Sequence, residues 1–185
     1  MNDPDLRVVY DQEAVLGALE GMAFDIAADN ESSSDLVVVM VLKGGLFTGF
    51  GLLRHLPLYV PYGFVGLSSY KEGTEAEGGI EVTYDLDFPS DFLAGKDVWI
   101  IDDVVEEGNT LATAVDLVVA HNPRSIKTAV LVSKISTTGD KQRFRPDVFG
   151  LYYDKKKFLV GCGMGIGEEY RNLPMLCEYS PGKDQ

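Results

Sequence analysis

Between Asp102 and Thr110 the chain reads Asp-Asp-Val-Val-Glu-Glu-Gly-Asn-Thr, with an apolar run before it and a helical periodicity after it. Where a strand passes through a glycine into a helix N-terminus, successive backbone N–H groups converge and the helix dipole favours an anion. The amides of Glu107, Gly108, Asn109 and Thr110 are placed to hold a phosphate, and the Thr110 hydroxyl can add a hydrogen bond. Asp102 and Asp103, adjacent at the end of a strand, are expected to project to opposite faces. One can then meet a sugar or the shell of a metal while the other supports the loop. The same residues also fit a solvated surface turn in which Thr110 is only an N-cap, so the segment alone does not decide.

The elements that would carry this segment follow from hydrophobic spacing. Residues 11–29 repeat apolar side chains at helical intervals behind Asp11, a good N-cap. Residues 36–42 are continuously apolar, as in a strand covered on both faces. Lys43, Gly44 and Gly45 then turn the chain into a helix expected over 47–56. Further strands are expected at 62–69, 80–86, 97–101, 127–132, 148–152 and 158–161, with a helix over 110–121 stopped by Asn122 and Pro123. The polar, glycine-bearing stretch 70–79 reads as a loop. Strands alternating with helices predict an α/β domain with a mostly parallel sheet and its site at the C-terminal ends of the strands.

Composition narrows the partners. A net charge of -13 argues against a surface for non-specific nucleic-acid binding, which needs clustered Lys and Arg. A phosphate site must therefore be made locally, by amides, a few cations or a metal. The opening residues lack a basic segment followed by an apolar run, and no apolar stretch approaches the roughly 20 residues of a membrane span. Cys162 and Cys177 have neither metal-ligand spacing nor the density of a disulfide scaffold. A cytoplasmic protein with reduced thiols and no membrane partner is expected.

The segment 98–113 resembles the diphosphoribosyl-binding motif of type I phosphoribosyltransferases, and the likeness extends in order along the chain. Val41-Leu42-Lys43-Gly44-Gly45 is similar to the diphosphate loop of hypoxanthine-guanine phosphoribosyltransferases, and Ser68-Ser69-Tyr70 to the start of their flexible loop. Asp85-Leu86-Asp87 and Leu93-Ala94-Gly95-Lys96-Asp97-Val98 are similar to the approach to the motif. Phe158-Leu159-Val160-Gly161 and Glu169-Tyr170-Arg171-Asn172-Leu173-Pro174 are similar to the C-terminal purine and diphosphate region.

The resemblance implies one type I phosphoribosyltransferase domain over 1–185, with a core of about 36–162 and a small hood from the N- and C-terminal segments. It implies transfer of a phosphoribosyl group from 5-phosphoribosyl-1-diphosphate to an oxopurine, hypoxanthine and also guanine, with Mg2+. Glu106 would be the general base. Lys43, Gly44, Asp102, Asp103, Glu107, Gly108, Asn109, Thr110 and Arg171 would bind the sugar diphosphate, with Asp102 and Asp103 also nearest the metal, directly or through water. Lys134 would donate to the purine 6-oxo group, Phe158 would stack on the ring and the Leu159 backbone would meet its edge. Ser69 and Tyr70 would belong to a closing lid, and the Leu42–Lys43 peptide would be cis. A homodimer or homotetramer is expected.

Three positions depart from the family pattern. Glu106 stands where Asp is usual, Glu107 where Ser or Thr is usual, and Gly165 where an Asp commonly helps to hold a metal. These departures leave room for a xanthine- or guanine-preferring transferase, or for a non-catalytic regulator on the same fold.

Overall fold

A computed structural model of the chain describes residues 3–30, 35–69, 79–89, 91–134 and 144–182. A six-stranded sheet has the order β4-β3-β2-β5-β6-β7, built from β2 (Leu36–Leu42), β3 (Tyr62–Ser69), β4 (Ile80–Tyr84), β5 (Asp97–Val105), β6 (Ser125–Ser133) and β7 (Val148–Tyr152). All neighbours are parallel except the hairpin partners β3 and β4. Both faces are covered. Val38, Met40, Trp99 and Ile101 pack towards α1 (Gln12–Asp29) and α2 (Gly45–Leu53). Their strand neighbours Val37, Val39, Val98 and Ile100 pack with Leu111, Ala114 and Val118 of α3 (Asn109–Val119). This alternation explains the unbroken apolar run of β2, because a strand buried on both faces has no polar side.

The first helix begins as its sequence indicates, with Asp11 Oδ1 accepting from the Ala14 N–H at 2.9 Å. Leu16, on the apolar repeat, is nevertheless 47% exposed. The second helix starts earlier and stops earlier than 47–56, because Gly45 lets its first turn lie on β5, where any Cβ would stand 2.6 Å from the Ile101 carbonyl.

A second sheet, β1-β9-β8, was not specified by the spacing of apolar residues. It joins β1 (Leu6–Tyr10), β9 (Leu176–Tyr179) and β8 (Phe158–Val160), all antiparallel, so the two ends of the chain meet. Both terminal strands are short, and β1 exposes the neighbouring Arg7 and Val8 with no alternation of buried and exposed residues, so neither carries much pattern. Among the described residues no helix is long and apolar enough to cross a membrane.

Candidate active site

The fifth strand runs past Ile101, because Val104 and Val105 continue the pairing with Val132 and Ser133 of β6. The acidic pair thus lies inside the strand rather than beyond it, and Asp102 is only 5% exposed. Asp102 Oδ1 accepts from the Asp103 N–H at 2.8 Å, and Asp103 Oδ1 from the Val104 N–H at 2.7 Å. The two carboxyl groups lie within hydrogen-bonding reach of one another. Burial pushes Asp102 well above the ordinary carboxylate range, and the charge of Asp103 adds to that. Burial raises Asp103 too, opposed by its bond with Asp102, by the Val104 amide and by the Arg171 charge.

A cation beside this buried acidic pair would offset the cost of burying its charge. The hard oxygen donors of the pair suit a divalent ion such as magnesium. Among the described residues no three His, Cys, Asp or Glu side chains form a metal cage. An ion beside this pair would be held largely by ligand oxygens and water, as magnesium often is.

Gly44 follows a cis Leu42–Lys43 peptide and lies directly on Asp103: a Cβ at this position would overlap the Asp103 carboxylate. Its carbonyl is backed by Gly163, whose φ of 95° and lack of a Cβ permit the contact. The same C-terminal loop supplies Arg171, which donates from Nη1 to the Gly163 carbonyl at 2.8 Å and from Nη2 to the Gly167 carbonyl at 3.2 Å. Its buried Nε has no hydrogen-bond partner among the described residues. Lys43 Nζ is held by both carboxylate oxygens of Glu168, at 2.9 and 3.0 Å, and Glu168 also stands 3.8 Å from Arg171 Nε. Lys43 thereby holds the Glu168 carboxyl below the usual range. Gly165 has a steric reason to be glycine here, since a Cβ would stand 2.6 Å from both Arg171 Cγ and the Glu169 carbonyl.

Beyond β5, Gly108 adopts φ 82° and opens α3 without a side-chain cap. Only glycine suits this turn, because a Cβ would also meet the Phe144 carbonyl at 2.6 Å. Asn109 and Thr110 begin the helix, whose first-turn N–H groups have no intrahelical acceptors. The carboxylate of Glu107 is engaged by Asn109 Nδ2 at 3.2 Å, which gives the extra charge a partner. Glu106, 61% exposed, pairs with the nearly buried Lys134 at 2.8 Å, and the Lys134 N–H donates to the Val105 carbonyl.

The predicted residues therefore assemble into two groups: Lys43, Gly44, Asp102, Asp103 and Arg171 around the end of β5, and Glu106 with Lys134 beside it. Phe158 and Leu159 stand apart on β8, the first 52% exposed and the second buried. Ser69 ends β3 opposite Ile80, whereas Tyr70 lies outside the described residues. The sequence reading missed Glu168 and Gly163. Glu168 had a faint signal, a carboxylate three positions before the predicted arginine. Chemically, the arrangement can neutralise a polyanion between Lys43, Arg171 and the start of α3, next to carboxylates able to take a proton or hold a cation.

Comparison with known proteins gives consistent matches. The model of the phosphoribosyl transferase domain family matches residues 7–165. A hypoxanthine-guanine phosphoribosyltransferase of Dictyostelium discoideum is 33% identical over 93% of this chain and 94% of its own length. The bifunctional protein TilS/HprT of Listeria innocua is 30% identical over 95% of this chain, which spans only 26% of that longer protein. The crystal structure of a hypoxanthine phosphoribosyltransferase from Staphylococcus aureus superposes with a TM-score of 0.85 at 27% identity, covering 98% of this chain and 97% of its own.

Proposed function

The chain belongs to the phosphoribosyl transferase domain family, and we propose that it is a hypoxanthine phosphoribosyltransferase of purine salvage, accepting guanine as well. It transfers the 5-phosphoribosyl group of 5-phosphoribosyl-1-diphosphate to the base, releasing diphosphate. One observation carries the site reading above the others: the Lys43-Gly44 turn, the buried acidic pair and Arg171 converge at the end of β5, next to the helix start that can hold a second phosphate.

In this reading the first-turn amides of α3, from Glu107 to Thr110, take the 5-phosphate with the favourable end of the helix dipole. Lys43, the Gly44 backbone and the unpartnered Arg171 Nε take the diphosphate. Asp102 and Asp103 face the ribose hydroxyls and would hold Mg2+, which when bound neutralises diphosphate charge as the leaving group departs. The C1–O bond breaks with its electron pair going to diphosphate, a purine nitrogen forms the new bond to C1, and Glu106 takes the proton that the base gives up. The developing positive charge at C1 resembles that of glycoside chemistry, so positioning and charge complementarity supply most of the catalysis. Lys134 donates to the 6-oxo group, Phe158 offers its exposed ring to the base and the Leu159 backbone meets its edge. Ser69 and Tyr70 begin the lid.

The architecture reads as one domain with the β1-β9-β8 sheet as its hood. A cytoplasmic homodimer or homotetramer completes the proposal, in keeping with two free, buried cysteines. A spectrophotometric assay with magnesium, 5-phosphoribosyl-1-diphosphate and, separately, hypoxanthine, guanine, xanthine and adenine tests it. Nucleotide formation with hypoxanthine is the expected result. Turnover with xanthine or guanine alone would reassign the base, and sugar diphosphate binding without turnover would make the chain a regulator.

A further inference from the structure

Glu178 lies on β9 with only 6% of its surface exposed, and a carboxylate is not buried at low cost unless several donors surround it. Its donors come from two separate parts of the chain, the N-terminal strand and the connection between β7 and β8. Arg7 on β1 makes a forked contact, Nε to Oε2 at 2.9 Å and Nη2 to Oε1 at 2.5 Å. The Tyr153 hydroxyl donates to Oε1, and Lys155 Nζ stands 3.7 Å from the same oxygen.

These partners bracket the segment that carries the base-binding edge. Tyr153 follows β7 directly and is fixed to the large sheet by its N–H donating to the Ser133 carbonyl at 2.9 Å. Lys155 lies in the connection to β8. On the other side, Glu178 is the register partner of Leu159, and Tyr179 that of Phe158. The Glu178 carboxylate thus touches the chain as it leaves the large sheet, its backbone pairs with the strand that chain enters, and Arg7 anchors the carboxylate to the N-terminal strand.

We propose that Glu178 is a positioning residue for the purine base: through Tyr153, Lys155 and Arg7 it fixes where Phe158 and Leu159 stand relative to the large sheet. This rests on the reading of Phe158 and Leu159 as the base-contacting pair. β8 is only three residues long; Leu159 and Val160 are buried, but Phe158 is half exposed, so the ring proposed to meet the base depends on how the rest of the segment is held. Sites of this kind need supporting groups that hold contact residues to a fraction of an ångström. The Arg7 hydrogen bond, followed by that of Tyr153, lowers the Glu178 carboxyl to about 2, so it stays ionised at neutral pH and takes no part in proton transfer.

Separate Michaelis constants for base and sugar diphosphate, measured for Glu178→Ala, Glu178→Gln and Tyr153→Phe alongside thermal unfolding, test the proposal. Glu178→Ala is expected to raise the KM for hypoxanthine by about ten-fold, with the KM for 5-phosphoribosyl-1-diphosphate within about two-fold of wild type. Glu178→Gln, which keeps size and can still accept from Tyr153, should recover part of the loss. A folded Glu178→Ala with an unchanged base KM, or with both constants rising together, overturns the proposal. Should that variant not fold, Tyr153→Phe decides, and an unchanged base KM there overturns it equally. If the wild-type chain forms no nucleotide with any base, the functional reading fails and this proposal with it. If wild type turns over while the base KM of the variants stays put, only this proposal fails.

Discussion

The end of β5 and the edge of the small sheet build their parts of the site by different means. From Asp102 to Thr110 the groups are consecutive in the chain, and local geometry does the positioning: each aspartate folds back onto the next amide, and a left-handed glycine starts the helix. At the small sheet, Arg7 and Glu178 meet across 171 positions of sequence, and the contact exists only once both chain ends have folded together. A locally built site should lose function without losing the fold when one side chain changes. A site assembled from distant segments should couple the two.

The largest effect that can test this difference is at Glu106. Replacing it with Gln keeps size and the contact with Lys134 but removes the proton acceptor, and turnover should fall by about 10²- to 10⁴-fold with unfolding temperature nearly unchanged. Single-turnover kinetics beside a thermal melt would check both halves. A drop in stability as large as the drop in rate would show that the β5 end is not an independent local site. Gly44→Ala comes next. Gly44 has φ -64° and ψ -46°, so alanine suits the backbone and only the Asp103 carboxylate resists it. The expected outcome is about a 10²-fold loss of kcat/KM for 5-phosphoribosyl-1-diphosphate, with base affinity little altered.

The small sheet should answer to pH instead. Glu178 has an ordinary value of 4.5 and is lowered to about 2 in the folded chain, chiefly by Arg7 and then by Tyr153. A carboxyl lowered on folding contributes stability that is fully present above its unfolded value and is lost as pH falls towards its folded value. Urea unfolding between pH 7 and 3 should therefore show wild type losing stability below about pH 4.5 more steeply than Glu178→Gln. Equal slopes would mean that Glu178 is not an ionised clamp.

The same contrast explains what could be read from the residues in order. The acidic pair, the glycine turn and the strands of the large sheet are local patterns, and β2, β3 and β7 have the bounds that their apolar runs indicated. The end of β5 was misjudged because Asp102 and Asp103 look like a surface turn until β6 is known to pair beyond them. β1 and β9 carried no usable pattern, since a half-solvated strand of five residues and one of four acquire meaning only from each other. Gly165 looked like a missing ligand, whereas the space its side chain would need is filled by Arg171.

Glu168 offers the smallest and most diagnostic effect. It is 73% exposed, sits on the C-terminal loop, and reaches the β5 end by pairing with Lys43 and approaching Arg171, the two cations proposed for the diphosphate. An incoming diphosphate must compete with this carboxylate. Exposed ion pairs are weak and screened by salt, so Glu168→Gln should lower the KM for 5-phosphoribosyl-1-diphosphate only a few-fold, and the gain should fade as ionic strength rises. A raised KM would mean that Glu168 orients Lys43 and Arg171 for the substrate instead of competing with it. The β5 end would then depend on a distant loop as closely as the small sheet depends on Arg7, and the distinction between a local and an assembled half of the site would fall.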